Sequence, residues 1–370
     1  MQGSFDDILK AVTSGAPASH RVPVYEHFVD DEIIEQIMSY DFTAVNKNIT
    51  TFSEMAVADK DLDVYLDYWK KKLNFYRELG YGFLPVEFPP LFPQPYRISA
   101  DDDSLYSRGK REWVNEKEGI IRSLTDLDDP RYWPDSDHIF DYRLFEAIAR
   151  LLPVDMKIIG GFAGGPMEHA MYLLGMERFF LAVHDNRDLI ERLFQKLRTI
   201  FVGIAERLAR IDAVGIMRIG DDLGNNQSTF ISPSLLRKYI FPIYTELVEI
   251  SHRAGKPFIL HSCGNLENVM SELIDVCRFD AKHSFQDNII PITEVKRKWG
   301  ARIALLGGVD VDSLARSSPA RIKDQATRIL KVCSAGGGYA FGSGNTITNY
   351  IPVANYLAML EAAREFNGDY

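Results

Sequence analysis

Only three of the 370 residues are cysteine, Cys263, Cys277 and Cys333, an odd number in a chain long enough to be stable without crosslinks. A disulfide framework is therefore excluded as the basis of the fold, and a reducing cytosol is the expected compartment. Positive charge is short as well. The formal net charge is -10, and the densest basic run, Lys70 to Lys72, reads as a solvated helix face. Nucleic acid is not an expected partner, because binding its phosphates needs clustered Lys and Arg. No stretch reaches about 18 uncharged apolar residues, and Met1 to Asp7 lacks the basic start and apolar core of a signal peptide. A soluble, unprocessed, cytoplasmic protein with no membrane partner is expected. Internal repeats of about 20 to 50 residues are missing, which removes solenoids and arrays. Also missing are GxxxxGK followed by Ser or Thr, HExxH, GxSxG, paired CxxC, and GxGxxG in a strand-to-helix context. NTPase, zincin, hydrolase and dinucleotide-fold readings lose support accordingly.

What is present is an ordinary globular composition, 46% hydrophobic and 25% charged, enough to bury a sizeable core. Short apolar runs rich in β-formers alternate with longer stretches of helical periodicity, a pattern that demands a parallel sheet with helical crossovers. Strands are expected at about Arg21 to Tyr25, Gly82 to Glu87, Lys157 to Gly161, Val214 to Gly220, Pro257 to His261, Phe279 to His283, Ile303 to Gly308 and Gly338 to Gly342. Helices are expected between them, two opening with the Ser-Pro caps Ser232-Pro233 and Ser318-Pro319. Eight such units close a (β/α)8 barrel, which needs about 250 residues or more. The expectation is one α/β domain over 1–370: a TIM barrel with an N-terminal helical extension and an insertion after strand two, about 88–137. Pro89, Pro90, Pro93, Pro95, Asp101-Asp102-Asp103 and Glu112-Trp113-Val114 mark that insertion. A loop of such length after a barrel strand is where specificity is built.

Chemistry should sit where apolar strands end in polar side chains. The strand ending His261-Ser262-Cys263 is the most informative, because residues two apart on an extended chain fall on one side and can share a metal or a substrate. A core histidine beside an inert thiol is the plainer alternative. Strand four ends in Asp221-Asp222, of which Asp221 is taken as the inward-facing acid, base or ligand, while Asp222 is assigned to substrate. Strand six ends in His283, strand seven in Gly307-Gly308-Val309-Asp310, and strand eight in Gly342-Ser343-Gly344-Asn345. Tyr25 and Glu26 at the first strand, and Glu87 at the second, complete the rim. The expected roles are catalytic for Asp221, His283 and Glu26, substrate-binding for Tyr25, Glu87, Asp222, Asp310 and Asn345, and metal-binding for His261 and Cys263.

These motifs, His261-Ser262-Cys263-Gly264-Asn265, Asp280-Ala281-Lys282-His283-Ser284, Gly307-Gly308-Val309-Asp310 and Gly337-Gly338-Tyr339, resemble the uroporphyrinogen-decarboxylase-like superfamily, with Gly165-Pro166 and Gly220-Asp221-Asp222-Leu223-Gly224 extending the likeness. The decarboxylases of that superfamily carry an Arg-Gln-Ala-Gly-Arg segment after the first strand, where this chain reads Arg21-Val22-Pro23-Val24-Tyr25-Glu26-His27-Phe28. The resemblance is stronger to the cobalamin-dependent methyltransferase branch, whose members bind zinc through a His-x-Cys pair and a late cysteine. It implies zinc at His261 and Cys263, a corrinoid partner protein, a small methylated substrate of methoxy or methylamine type, and homodimers with facing clefts. At the late position stands Asn345, a poor zinc ligand, so a substitute is expected from Glu26, Asp221 or His283, a harder set suited to O-demethylation. A lyase acting on another carboxylated molecule, and a non-catalytic binding barrel, remain open.

Overall fold

The computed structural model describes residues 3–13, 21–42, 62–92, 97–101, 110–114, 119–133 and 139–369. Its frame is a seven-stranded parallel sheet: β1 (Phe83–Phe88), then β4 (Lys157–Phe162), β5 (Val214–Gly220), β6 (Phe258–His261), β7 (Ala281–His283), β8 (Ala304–Leu306) and β9 (Tyr339–Ala340), adjacent in that order. The short antiparallel pair β2 (Arg97–Asp101) and β3 (Lys110–Val114) lies outside it. The main strands are almost wholly buried, because helices cover the outside while side chains fill the inside. That double burial explains why they read as continuous apolar runs. Helices such as Arg187–Ala209 and Pro319–Cys333 form the outer layer. The Ser-Pro devices behave as expected: Leu235 N–H donates to Ser232 Oγ at 3.4 Å, and Arg321 N–H donates to Ser318 Oγ at 3.4 Å. This is a TIM-barrel fold.

The eighth position is filled differently from expectation. Arg21 to Tyr25 is not a strand but a single parallel bridge, Val24 to Phe341. Tyr25 N–H donates to Phe341 O at 2.7 Å and Phe341 N–H donates to Pro23 O at 2.8 Å. Pro23 has no N–H to extend a ladder, which limits the segment to these contacts. On its other side, among the described residues, side chains close the wall in place of backbone bonds. The Tyr25 ring stacks on Phe83 at 5.6 Å, and Arg218 reaches from β5 to Glu87 on β1 and to the Tyr25 hydroxyl at 2.9 Å.

The N-terminal extension is helical, with Phe5–Val12, and a second helix, Asp31–Met38, follows the bridge segment. Part of the expected insertion folds as the β2–β3 pair, which the sequence alone read as loop. Pro93, Pro95, Asp102 and Asp103 lie outside the described residues.

Candidate metal and active site

Three strand ends in register build the site. Gly220, His261 and His283 are partners across β5, β6 and β7, so the two imidazoles project side by side into the barrel, ring centroids 4.9 Å apart. The loop after β6 then presses against the loop after β5. Gly264 takes φ of 93°, and a Cβ there would lie 2.3 Å from the Gly224 carbonyl carbon, a place only glycine fills without strain. Asn265 N–H donates to Asn225 O at 2.7 Å and fixes the approach. Cys263 is thereby set against Asp222: its N–H donates to Asp222 Oδ1 at 2.7 Å.

The Cys263 sulfur is the focus of four groups. His261 Nε2 lies 3.8 Å away, Asn345 Nδ2–H donates to it at 3.2 Å, and Ser284 Oγ–H donates at 3.4 Å. Asp222 is the fourth, since its carboxylate, His261 and Cys263 offer donor atoms all within 4.8 Å of one another. Burial, reinforced by Asp222, pushes the Cys263 thiol up to about 12. Alone it is no thiolate nucleophile at neutral pH; a divalent cation reverses this, because a coordinating thiol is deprotonated.

A second donor group, His27, His261 and His283, overlaps the first at His261. His261 Nδ1 and His283 Nδ1 are 2.7 Å apart and share one hydrogen bond, so those lone pairs are occupied. His261 Nε2, facing Cys263, is not used in that bond. The donor chemistry therefore favours the Asp222, His261, Cys263 group: one imidazole nitrogen, one sulfur and one carboxylate oxygen with further positions open, a set that suits zinc. Burial holds both imidazoles neutral, His261 well below its ordinary value and His283 down to about 3. Neutral imidazole is the ligating form.

The remaining expected residues divide by position. Asp221 is not the inward-facing carboxylate. It accepts from Met167 N–H at 3.0 Å, Glu168 N–H at 2.9 Å and the Tyr244 hydroxyl at 2.6 Å, capping the helix Pro166–Leu174. Burial lifts it to about 7 although those three donors pull the other way. Glu26 lies one step behind the site. Ser343 N–H donates to its Oε1 at 2.9 Å, and its Oε2 pairs with Ser343 Oγ. Burial lifts Glu26 to about 8 although both Ser343 donors pull the other way, and Ser343 Oγ–H, which donates to Glu26 Oε2, also lies 2.6 Å from Asn345 O. Tyr25 and Glu87 are engaged by Arg218, which stays charged because Glu87 and Tyr25 outweigh its burial. Asp310 lines an open cleft of about 850 Å³ and caps the helix Val311–Arg316. Asn345 lines the same cleft, whereas Cys263, His261 and Asp222 do not; Asn345 Nδ2, 3.2 Å from the Cys263 sulfur, stands between the two.

Sequence reasoning missed His27, Ser284, Arg218, Ser343 and Glu168. His27 stacks on His261 at 3.9 Å and leaves its buried Nδ1 without a hydrogen-bond partner. Glu168 is half-buried in the first turn of the helix after β4. Burial, then the charges of Asp222 and Asp221, raise it well above the carboxylate range. An acid two residues past Gly165-Pro166, in the first turn of the helix that follows a barrel strand, was the available signal.

The sequence profile of uroporphyrinogen decarboxylase (URO-D) matches residues 119–366. The chain belongs to that family. Among curated members of the URO-D family, uroporphyrinogen decarboxylase from Coxiella burnetii is 26% identical over 239 residues, covering 60% of this chain. The match spans 63% of that relative's length. The enzyme of the same name from Alkalilimnicola ehrlichii is 24% identical over 301 residues, 79% of this chain and 73% of its own. In fold the chain is similar to a methyltransferase from Methanosarcina mazei, with a TM-score of 0.68, 17% identity and 99% of each chain covered.

Proposed function

We propose that this URO-D family enzyme is a zinc-assisted methyltransferase that moves a methyl group from a small methoxylated or N-methylated molecule to a corrinoid carried by a partner protein. The carrying observation is the donor corner of His261 Nε2, Cys263 Sγ and the Asp222 carboxylate at the strand-end face, joined through Asn345 to an open cleft. Asp222 takes the place expected of Glu26, Asp221 or His283 as third ligand, and Asn345 donates to the sulfur in place of ligating. One sulfur with one carboxylate is a harder set than two sulfurs, which favours an ether oxygen and O-demethylation. The methyltransferase name of the Methanosarcina mazei structure supports this reading, and the decarboxylase name of the curated relatives supports the alternative.

When bound, zinc would draw charge from the departing heteroatom and the corrinoid would take the methyl group. The chain's own residues do the rest. The Cys263 N–H holds Asp222 Oδ1, which leaves its other oxygen for the metal. Asn345 and Ser284 stabilise charge on the sulfur. Glu168, whose hold on a proton is strengthened by burial and by the charges of Asp222 and Asp221, is the group we assign to hand a proton to the leaving heteroatom. Arg218, a buried guanidinium, is taken by Glu87 and Tyr25 and is not free for a substrate carboxylate.

The test mixes zinc-loaded protein, cob(I)alamin and a panel of methoxylated and N-methylated compounds, and follows methylcobalamin formation. Formation by the wild type and its loss in His261→Ala supports the reading. Carbon dioxide release from carboxylated compounds, with no methyl transfer, would replace it with the decarboxylase reading.

A further inference from the structure

We propose that His283 is a positioning residue that fixes His261 in the tautomer whose Nε2 is bare and free to bind a metal. Its consequence rests on the metal reading above; its substance rests on hydrogen-bond geometry. The two Nδ1 atoms face each other at 2.7 Å, so one carries the proton and the other accepts it. His283 Nε2 lies 3.3 Å from the Ser343 carbonyl oxygen, an atom that only accepts, so the His283 proton sits on Nε2. A neutral imidazole has one N–H. His283 Nδ1 is therefore bare and takes the Nδ1–H of His261. His261 has then committed its single proton, and its Nε2 lone pair is left facing Cys263 Sγ and Asp222.

A ligating histidine commonly donates its second nitrogen to a fixed carboxylate or carbonyl. Here a second histidine is the acceptor, and the support continues outward. The Ser343 carbonyl also accepts from Gly308 N–H at 3.2 Å, while the Ser343 N–H is held by Glu26 at 2.9 Å. Tyr25 packs edge-on to the His283 ring at 5.3 Å and His27 lies against it at 5.5 Å, so the ring has no room to turn over. Glu26, at the start of the chain, thus reaches the candidate metal centre through Ser343 and His283 without touching it.

The test begins with the full chain, metal-free and labelled with 15N at histidine, in which the tautomer of His261 is read by NMR. Protonated Nδ1 with bare Nε2 is expected; the reverse tautomer overturns the proposal whatever the variants do. Zinc affinity is then measured by competition with a chromophoric chelator. His283→Phe, which cannot accept the proton, should weaken zinc binding by about 10–100-fold. His283→Gln, whose amide can accept from His261 and donate to Ser343, should keep most of the affinity. Wild-type affinity in His283→Phe contradicts the proposal. If the wild type takes up no zinc, the metal reading fails, and the tautomer measurement still decides the role of His283.

Discussion

Asp221 and Asp222 are chain neighbours with different work, because β5 ends at Gly220 and both lie past its last residue. Asp221 spends its carboxylate on two helix N–H groups and the Tyr244 hydroxyl; Asp222 turns to Cys263. Asp221→Ala is expected to leave those donors unsatisfied and to cost about 3 kcal/mol. Zinc content should be unchanged. Urea unfolding and elemental analysis of the same preparation check both halves, and an Asp221→Ala protein of wild-type stability contradicts the capping role. Alternation on an extended strand told the sequence reading that His261 and Cys263 share a side, and they meet at 3.8 Å. The same rule could not rank two acids lying past the strand's last residue. His27 was harder still, since its place depends on a ring stack with a residue more than two hundred positions away.

At the scale of elements, β5 was legible to the residue because seven successive positions carry one buried pattern, and β1, β4 and β6 were placed to within a residue or so at each end. The first segment was not, because its apolar character is shared by a bridge and a strand, and Pro23 decides between them only once its neighbours are known. Arg218 takes over there what a ladder would have done. Arg218→Met leaves Glu87 buried without its cation and is expected to lose about 3–5 kcal/mol. Arg218→Met with Glu87→Gln should recover much of that loss, and a double variant no better than the single one contradicts the ion-pair account. Glu26 joins the same segment to the loop after β9. Below its ordinary 4.5 Glu26 is neutral in both folded and unfolded chains; between 4.5 and about 8 only the unfolded chain ionises, so stability falls as pH rises through that window. Glu26→Gln keeps both hydrogen bonds and cannot ionise. Urea midpoints at the two ends of the window should therefore fall more for the wild type than for Glu26→Gln. Parallel curves contradict a protonated Glu26.

For the whole molecule, parallel strands in register bring side chains from β5, β6 and β7 and from the loops after β5, β6 and β9 to one end of one barrel, and no single stretch of sequence contains the site. The barrel, the family and the His-x-Cys pair were readable because each is written locally. The proposed third ligand was not, because Asp222 is set against Cys263 where the loops after β5 and β6 meet at Gly264 and Gly224. Membership of the URO-D family leaves decarboxylation and methyl transfer both within reach, and the proposed metal centre is what would separate them. The direct measurement is zinc per chain by elemental analysis after chelation and reloading, for the wild type and for His261→Ala, Cys263→Ala and Asp222→Ala, each shown to be folded by circular dichroism. The account predicts one zinc in the wild type and none retained in the three variants. A wild type that binds no zinc, or an Asp222→Ala protein that holds it as tightly, would contradict it.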